Sequence, residues 1–147
     1  MLVAEDSDDD FFFLSSAFHK SGPPADLHRV RDGVEAIEYL RGENGFGDRR
    51  LHPPPELLVL DLKMPRKNGF EVLEWVKTDS RWKHLPVVIL SSSEEPRDVH
   101  RAYRLGANSY LAKPNHYDRY QAVVRQIKEY WMGINQCPPF AESAAQG

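Results

Sequence analysis

Apolar runs of strand length alternate along this chain with stretches in which apolar residues recur at helical spacing. Leu2-Val3-Ala4, Leu57-Leu58-Val59-Leu60 and Val87-Val88-Ile89-Leu90 are apolar throughout, and Asp26 to Val30 and Ser109 to Ala112 read as two further strands. Ser7 with Asp10 has the pattern of a capping box, and Phe11, Leu14, Ser15 and Phe18 follow in register, which predicts a first helix from Asp8 to Lys20. Asp32-Gly33-Val34-Glu35 opens a second helix with Ile37 and Leu40 on one face. Phe70, Leu73, Val76 and Lys77 give the third its stripe, with Trp75 on a flank. A fourth begins near Pro96, a favoured first-turn residue, and ends at Gly106. The last, from Tyr117 to Met132, places Tyr120, Val123, Val124, Ile127 and Trp131 on one side. Apolar strands alternating with helices predict a parallel sheet covered on both faces, an α/β architecture.

Three stretches stand outside that rhythm. Gly42 to Glu56 holds three glycines and three consecutive prolines, and reads as a long insertion between elements of one sheet. Phe11, Phe12 and Phe13 cannot all face the core of one helix, so at least one is expected at the surface. Beyond Gly133 the chain is expected to be loosely held.

Composition narrows the function classes. A chain of 147 residues suits one domain with a full core, and a net charge of -3 lacks the basic footprint of a nucleic-acid binder. The single cysteine, Cys137, cannot form an internal disulfide and reads as incidental. The six histidines show no metal-ligand spacing and are expected to face solvent. Neither a membrane span nor a secretory signal is legible, so a cytoplasmic location is expected.

The chemistry gathers at strand ends. Asp61 closes one apolar run, Glu5 and Asp6 follow another, and Ser91-Ser92-Ser93 follows a third. A carboxylate at the end of a buried strand is costly unless something there uses it. Strand ends of a parallel sheet lie side by side, and that edge is where open α/β sheets bind ligands. Clustered carboxylates need either raised pKa values or a cation, and oxygen donors with room for water suit Mg²⁺. With Lys113 and Ser91 at the same edge, the set matches the needs of a phosphoryl group carried on one carboxylate. Asp8, Asp9 and Asp10 read as helix N-terminal charges rather than ligands.

These residues resemble the receiver domains of bacterial two-component response regulators. The likeness rests on Glu5-Asp6, on Leu60-Asp61-Leu62-Lys63-Met64-Pro65 with Asn68-Gly69 beyond it, on Ser91, and on Gly106 through Lys113-Pro114. It runs from Leu2 to Trp131, placing a receiver domain over residues 1–132 and a poorly ordered tail at 133–147. It implies a flavodoxin-like (βα)5 fold, a doubly wound parallel five-stranded sheet of order 2-1-3-4-5. It further implies that Asp61 accepts a phosphoryl group from a sensor histidine kinase. Asp6 and Asp61 would bind Mg²⁺ directly, Glu5 through water, and Lys63 through its backbone carbonyl. Ser91 and Lys113 would hold the phosphoryl oxygens, and Tyr110 would turn with the change. Lys63 and Ser93 occupy places that line the route of a hydrolytic water and are expected to set the phosphoryl lifetime.

The sequence departs from the commonest pattern in having Ser at Ser91, Glu at Glu5 and Asn at Asn115, none of which removes a needed functional group. The insertion, the Asp-rich start and Leu90-Ser91-Ser92-Ser93 look like stand-alone receivers that partner phytochrome-type kinases. With no second domain read after Trp131, the expected output is a protein contact: a downstream target, a phosphotransfer protein, or a homodimer through the fourth helix, fifth strand and fifth helix with Tyr103, Tyr110 and Tyr120. An aspartyl-phosphate phosphohydrolase would want a second Asp two residues after the nucleophile. Lys63 stands there instead. An unphosphorylated scaffold would not need the intact acidic set with Ser91 and Lys113. The expected role is therefore signalling rather than turnover of a substrate.

Overall fold

The computed structural model describes residues 1–22 and 24–139. In chain order its elements are β1 (Leu2–Ala4), α1 (Asp8–Lys20), β2 (His28–Val30), α2 (Gly33–Arg41), β3 (Leu58–Leu60), α3 (Gly69–Thr78), β4 (Val87–Ser91), α4 (Pro96–Arg104), β5 (Ser109–Ala112) and α5 (Tyr117–Glu129). The strands form one parallel sheet in the order β2-β1-β3-β4-β5. This is the doubly wound arrangement that the resemblance implied.

Period-two alternation explains why the strands are apolar without interruption. Leu2, Ala4, Leu58, Leu60, Val87 and Ile89 join one core with α2, α3 and Ala102 of α4. Val3, Leu57, Val59, Val88 and Leu90 join the other with Leu14 and Phe18 of α1 and with Tyr120, Val124 and Ile127 of α5. Both faces are covered, so neither set of alternate positions can be polar.

Several local expectations are refined by tertiary contacts. Ser7 caps α1 by accepting from the Asp10 N–H at 3.2 Å, but Asp10 does not return the bond; its carboxylate turns to Lys113. The full capping box belongs to Asn68 and Glu71 at the start of α3. β2 is shorter than its sequence pattern, and α5 ends at Glu129 in a π-helical turn, Tyr130–Ile134. Of the three phenylalanines, Phe12 and Phe13 are exposed while Phe11 lies against the Arg29 guanidinium.

The insertion is anchored rather than loose. The Arg49 guanidinium donates to the carbonyls of Tyr39 and Leu40 at 2.8 Å each and to that of His52 at 3.2 Å, capping the end of α2. Gly42 has φ 73°, and an added Cβ there would lie 3.0 Å from that guanidinium. Tyr39 is buried among the rings of Phe46, His52 and His28, and its hydroxyl donates to Pro53 O at 2.9 Å. Thus His28 and His52 are half-buried, against the expectation of solvent-facing histidines, while the other four are exposed. Cys137 Sγ lies 3.5 Å from Glu56 O, and residues 140–147 of the expected tail lie outside the described residues. Among the described residues no helix is long and apolar enough to cross a membrane.

Candidate functional site

Backbone hydrogen bonds carry the sheet ladder one step past the strand ends and so fix the residues there. Glu5 N–H donates to Val30 O at 3.0 Å, Asp61 N–H to Ala4 O at 3.1 Å, and Lys113 N–H to Ser91 O at 2.8 Å. Glu5, Asp61, Ser91 and Lys113 are thereby held by the same framework that pairs the strands. Asp6 follows Glu5 at the exposed rim.

One carboxylate oxygen from each of Glu5, Asp6 and Asp61 lies within 4.8 Å of the others. Glu5 and Asp61 are buried, and Lys113 reaches both, with Nζ 2.6 Å from Glu5 Oε1 and 2.9 Å from Asp61 Oδ2. The same ammonium lies 2.8 Å from Asp10 Oδ2. Burial pushes the Glu5 carboxyl up to about 7; the Lys113 hydrogen bond opposes that shift and the Asp61 charge adds to it. Burial alone would lower the Lys113 ammonium, but its bonds to Asp10, Glu5 and Asp61 hold it above the ordinary lysine range. One cation among this many carboxylates leaves the edge short of positive charge. An all-oxygen donor set with one exposed member fits a hard divalent ion that keeps part of its water shell.

The loop behind Asp61 is tightly packed. Gly69 N–H donates to Leu62 O at 2.9 Å, and a Cβ on Gly69 would stand 2.2 Å from Asp61 O, so only glycine permits this approach. Arg66 adopts φ 63° and pairs with Asp32, the N-cap of α2, at 2.7 Å. Gly33 N–H donates to Lys67 O at 3.1 Å. The start of α2 therefore braces the turn that carries Lys63, whose own N–H lies 3.4 Å from Asp61 Oδ1 and whose side chain is exposed.

After β4 the chain is held by a run of polar contacts. Fully buried Ser91 accepts at Oγ from the Ser93 N–H at 3.1 Å, Ser93 Oγ donates to Asp98 of α4 at 2.6 Å, and the Tyr110 hydroxyl donates to Ser93 O at 2.8 Å. Ser91 Oγ uses a lone pair in this bond, which leaves its own proton available to an incoming acceptor. Tyr103 is half exposed on α4, whereas Tyr120 is buried between α1 and α5, with its hydroxyl pKa raised far above normal by burial. Tyr120 therefore belongs to the core and does not line the outer face assigned to it from sequence.

Every residue singled out for phosphoryl or metal chemistry lies at or beside this edge. Asp10, legible in the sequence only as a helix N-terminal charge, also pairs with Lys113, while Asp98 and the brace from Asp32 and Arg66 were not singled out from the sequence. Asp10 stands in the first turn of the helix that follows Glu5-Asp6, and Asp98 five residues after Ser93, which are usable signals; Asp32 and Arg66 become neighbours only through the packing of α2 against the loop beyond β3.

Residues 1–125 match the family described as response regulator receiver domain. The probable methanogenesis regulatory protein FilR2 of Methanothrix harundinacea is 38% identical over 138 residues, covering 94% of this chain and 86% of that protein. Response regulator Rcp1 of Synechocystis is 33% identical over 132 residues, covering 90% of this chain and 88% of that protein. A Mn²⁺-bound structure of Rcp1 superposes with a TM-score of 0.84 at 31% identity, covering 94% of this chain and 97% of that one. The phosphorylated cyanobacterial phytochrome response regulator RcpA gives 0.87 at 34% identity, covering 94% and 96% respectively.

Proposed function

The chain belongs to the response regulator receiver domain family, and from that premise we propose that it is a cytoplasmic receiver that takes a phosphoryl group on Asp61 from a sensor histidine kinase. In that step an Asp61 carboxylate oxygen bonds to phosphorus while the bond from phosphorus to the kinase imidazole nitrogen breaks, and the electron pair stays on the imidazole. Lys113 is the observation that carries this reading: its ammonium lies 2.9 Å from Asp61 Oδ2 and can follow the charge onto a phosphoryl oxygen. Ser91 offers its hydroxyl proton to a second oxygen.

Glu5, Asp6, Asp61 and the Lys63 carbonyl would hold Mg²⁺, which when bound supplies charge neutralisation for the transferring group. The likeness to Mn²⁺-bound Rcp1 supports a divalent cation. Phosphorylation replaces the single charge of the Asp61 carboxylate with a phosphoryl group carrying about -1.5 to -2, and Ser91 gains a contact only then. Because Ser93 links Ser91 to Asp98 and Tyr110, that contact biases the position of α4 and the Tyr110 ring as a population shift. Lys63 and Ser93 would govern water access and so the phosphoryl lifetime.

The output is a protein contact, to a target or a phosphotransfer protein, with a homodimer through α4, β5 and α5 as one form of it. Exposed Tyr103 supports that face. Sedimentation that finds a monomer with and without beryllofluoride at micromolar concentration removes the dimer. The likeness to RcpA favours a phytochrome-type kinase, which phosphotransfer profiling against such kinases tests.

The deciding experiment is intact-mass spectrometry after incubation with Mg²⁺ and an acyl phosphate. A Mg²⁺-dependent gain of one phosphoryl mass that is lost in Asp61→Asn is expected. A folded protein that gains no phosphoryl mass and does not bind beryllofluoride would overturn the reading.

A further inference from the structure

One carboxylate at the site has no part in the chemistry above. Asp10 lies in the first turn of α1, and its Oδ2 is 2.8 Å from Lys113 Nζ. It is not among the Glu5, Asp6 and Asp61 oxygens that converge within 4.8 Å. Lys113 is thus shared by three carboxylates, two of which, Glu5 and Asp61, are also wanted by a divalent cation. The side chain of Lys113 is only 10% exposed, so water cannot readily replace partners it gives up. An ammonium and a metal ion competing for the same lone pairs also repel each other.

Resting on the metal-assisted reading above, we infer that Asp10 is a positioning residue: it keeps Lys113 anchored at the site while Glu5 and Asp61 turn to the divalent cation. Its place is fixed from below, since Asp10 N–H is held by Ser7 Oγ at 3.2 Å and its side chain, 37% exposed, stays in contact with solvent. Without Asp10, the Lys113 donors fall on Glu5 and Asp61 alone and hold them against the cation. A general helix-terminal charge would behave differently. Asp9 shares the first turn of α1, is exposed, and makes no contact with Lys113.

Calorimetric titration with Mg²⁺ alone compares the natural protein with Asp10→Asn, Asp10→Ser, Asp10→Glu and Asp9→Asn. Asp10→Asn and Asp10→Ser are expected to bind Mg²⁺ about tenfold more weakly, as loss of a partner that orients a ligand shell does. Asp10→Glu, which keeps the charge, recovers most of the affinity, and Asp9→Asn stays within about twofold of the natural protein. Natural affinity in both neutral Asp10 variants, or an equal loss in Asp9→Asn, overturns the inference. Absence of saturable Mg²⁺ binding in the natural protein instead overturns the metal-assisted reading on which it rests, so the two failures are told apart by the first titration.

Discussion

The hydroxyl of Tyr110, on β5, donates a 2.8 Å hydrogen bond to the backbone carbonyl of Ser93, two residues beyond Ser91. The loop leaving β4 is thereby fastened from the next strand, and through Ser93 Oγ also to Asp98 on α4. Tyr110→Phe keeps the ring and removes one hydrogen bond, worth about 1 kcal/mol. Faster amide exchange is expected across Ser92 to Glu95, with the sheet unchanged; hydrogen exchange by mass spectrometry reads it, and unaltered protection there would show that the ring alone fixes the loop.

Lys113→Ala leaves Glu5 and Asp61 buried beside each other without their cation. Removing one partner of a buried ion pair costs about 3 kcal/mol or more, here offset in part by proton uptake on Glu5. The expected result is a lower urea midpoint that Mg²⁺ partly restores, because the metal supplies the missing positive charge. A variant that is as stable as the natural protein without metal would contradict the ion-pair account.

The Glu5 carboxyl is raised from 4.5 to about 7. The folded state therefore binds more protons than the unfolded chain between those values, and this group contributes stability at low pH that is lost as pH rises through about 7. Metal binding runs the other way, since the ligand must be deprotonated, so Mg²⁺ affinity should rise from about pH 6 to pH 8. Urea unfolding and Mg²⁺ titrations over this range check both slopes, and Glu5→Gln should flatten the first.

Arg49→Ala removes the hydrogen bonds that bind the insertion to the end of α2, at an expected cost of about 2 kcal/mol for bonds from a charged donor. Limited proteolysis should cut earlier between residues 42 and 56. Phosphoryl uptake at Asp61 should be unchanged, because the clamp lies at the opposite end of the strands from Glu5 and Asp61. Reduced uptake at equal stability would tie the insertion to the site.

The sheet and the edge chemistry were legible in the sequence because both depend on short-range pattern. Uninterrupted apolar runs must be covered on both faces, and a charged or hydroxyl residue that ends such a run must stand at the sheet's edge. Leu60 before Asp61, Ala4 before Glu5, and Leu90 before Ser91 each follow that rule. Which side chain Lys113 holds does not. Asp10 is 103 residues from Lys113 in sequence, and its choice of that ammonium over its own helix cap depends on how α1 packs on the sheet alongside α5. The Asp32–Arg66 brace and the burial of Tyr120 likewise require elements distant in the chain to meet, and the Arg49 clamp requires the insertion to fold back on the end of α2. Hydrophobic alternation and strand-end chemistry decided where the site would be. Packing between elements far apart in the chain decided how its charges are shared, since a buried ammonium such as that of Lys113 pairs with the carboxylates that packing brings within its reach.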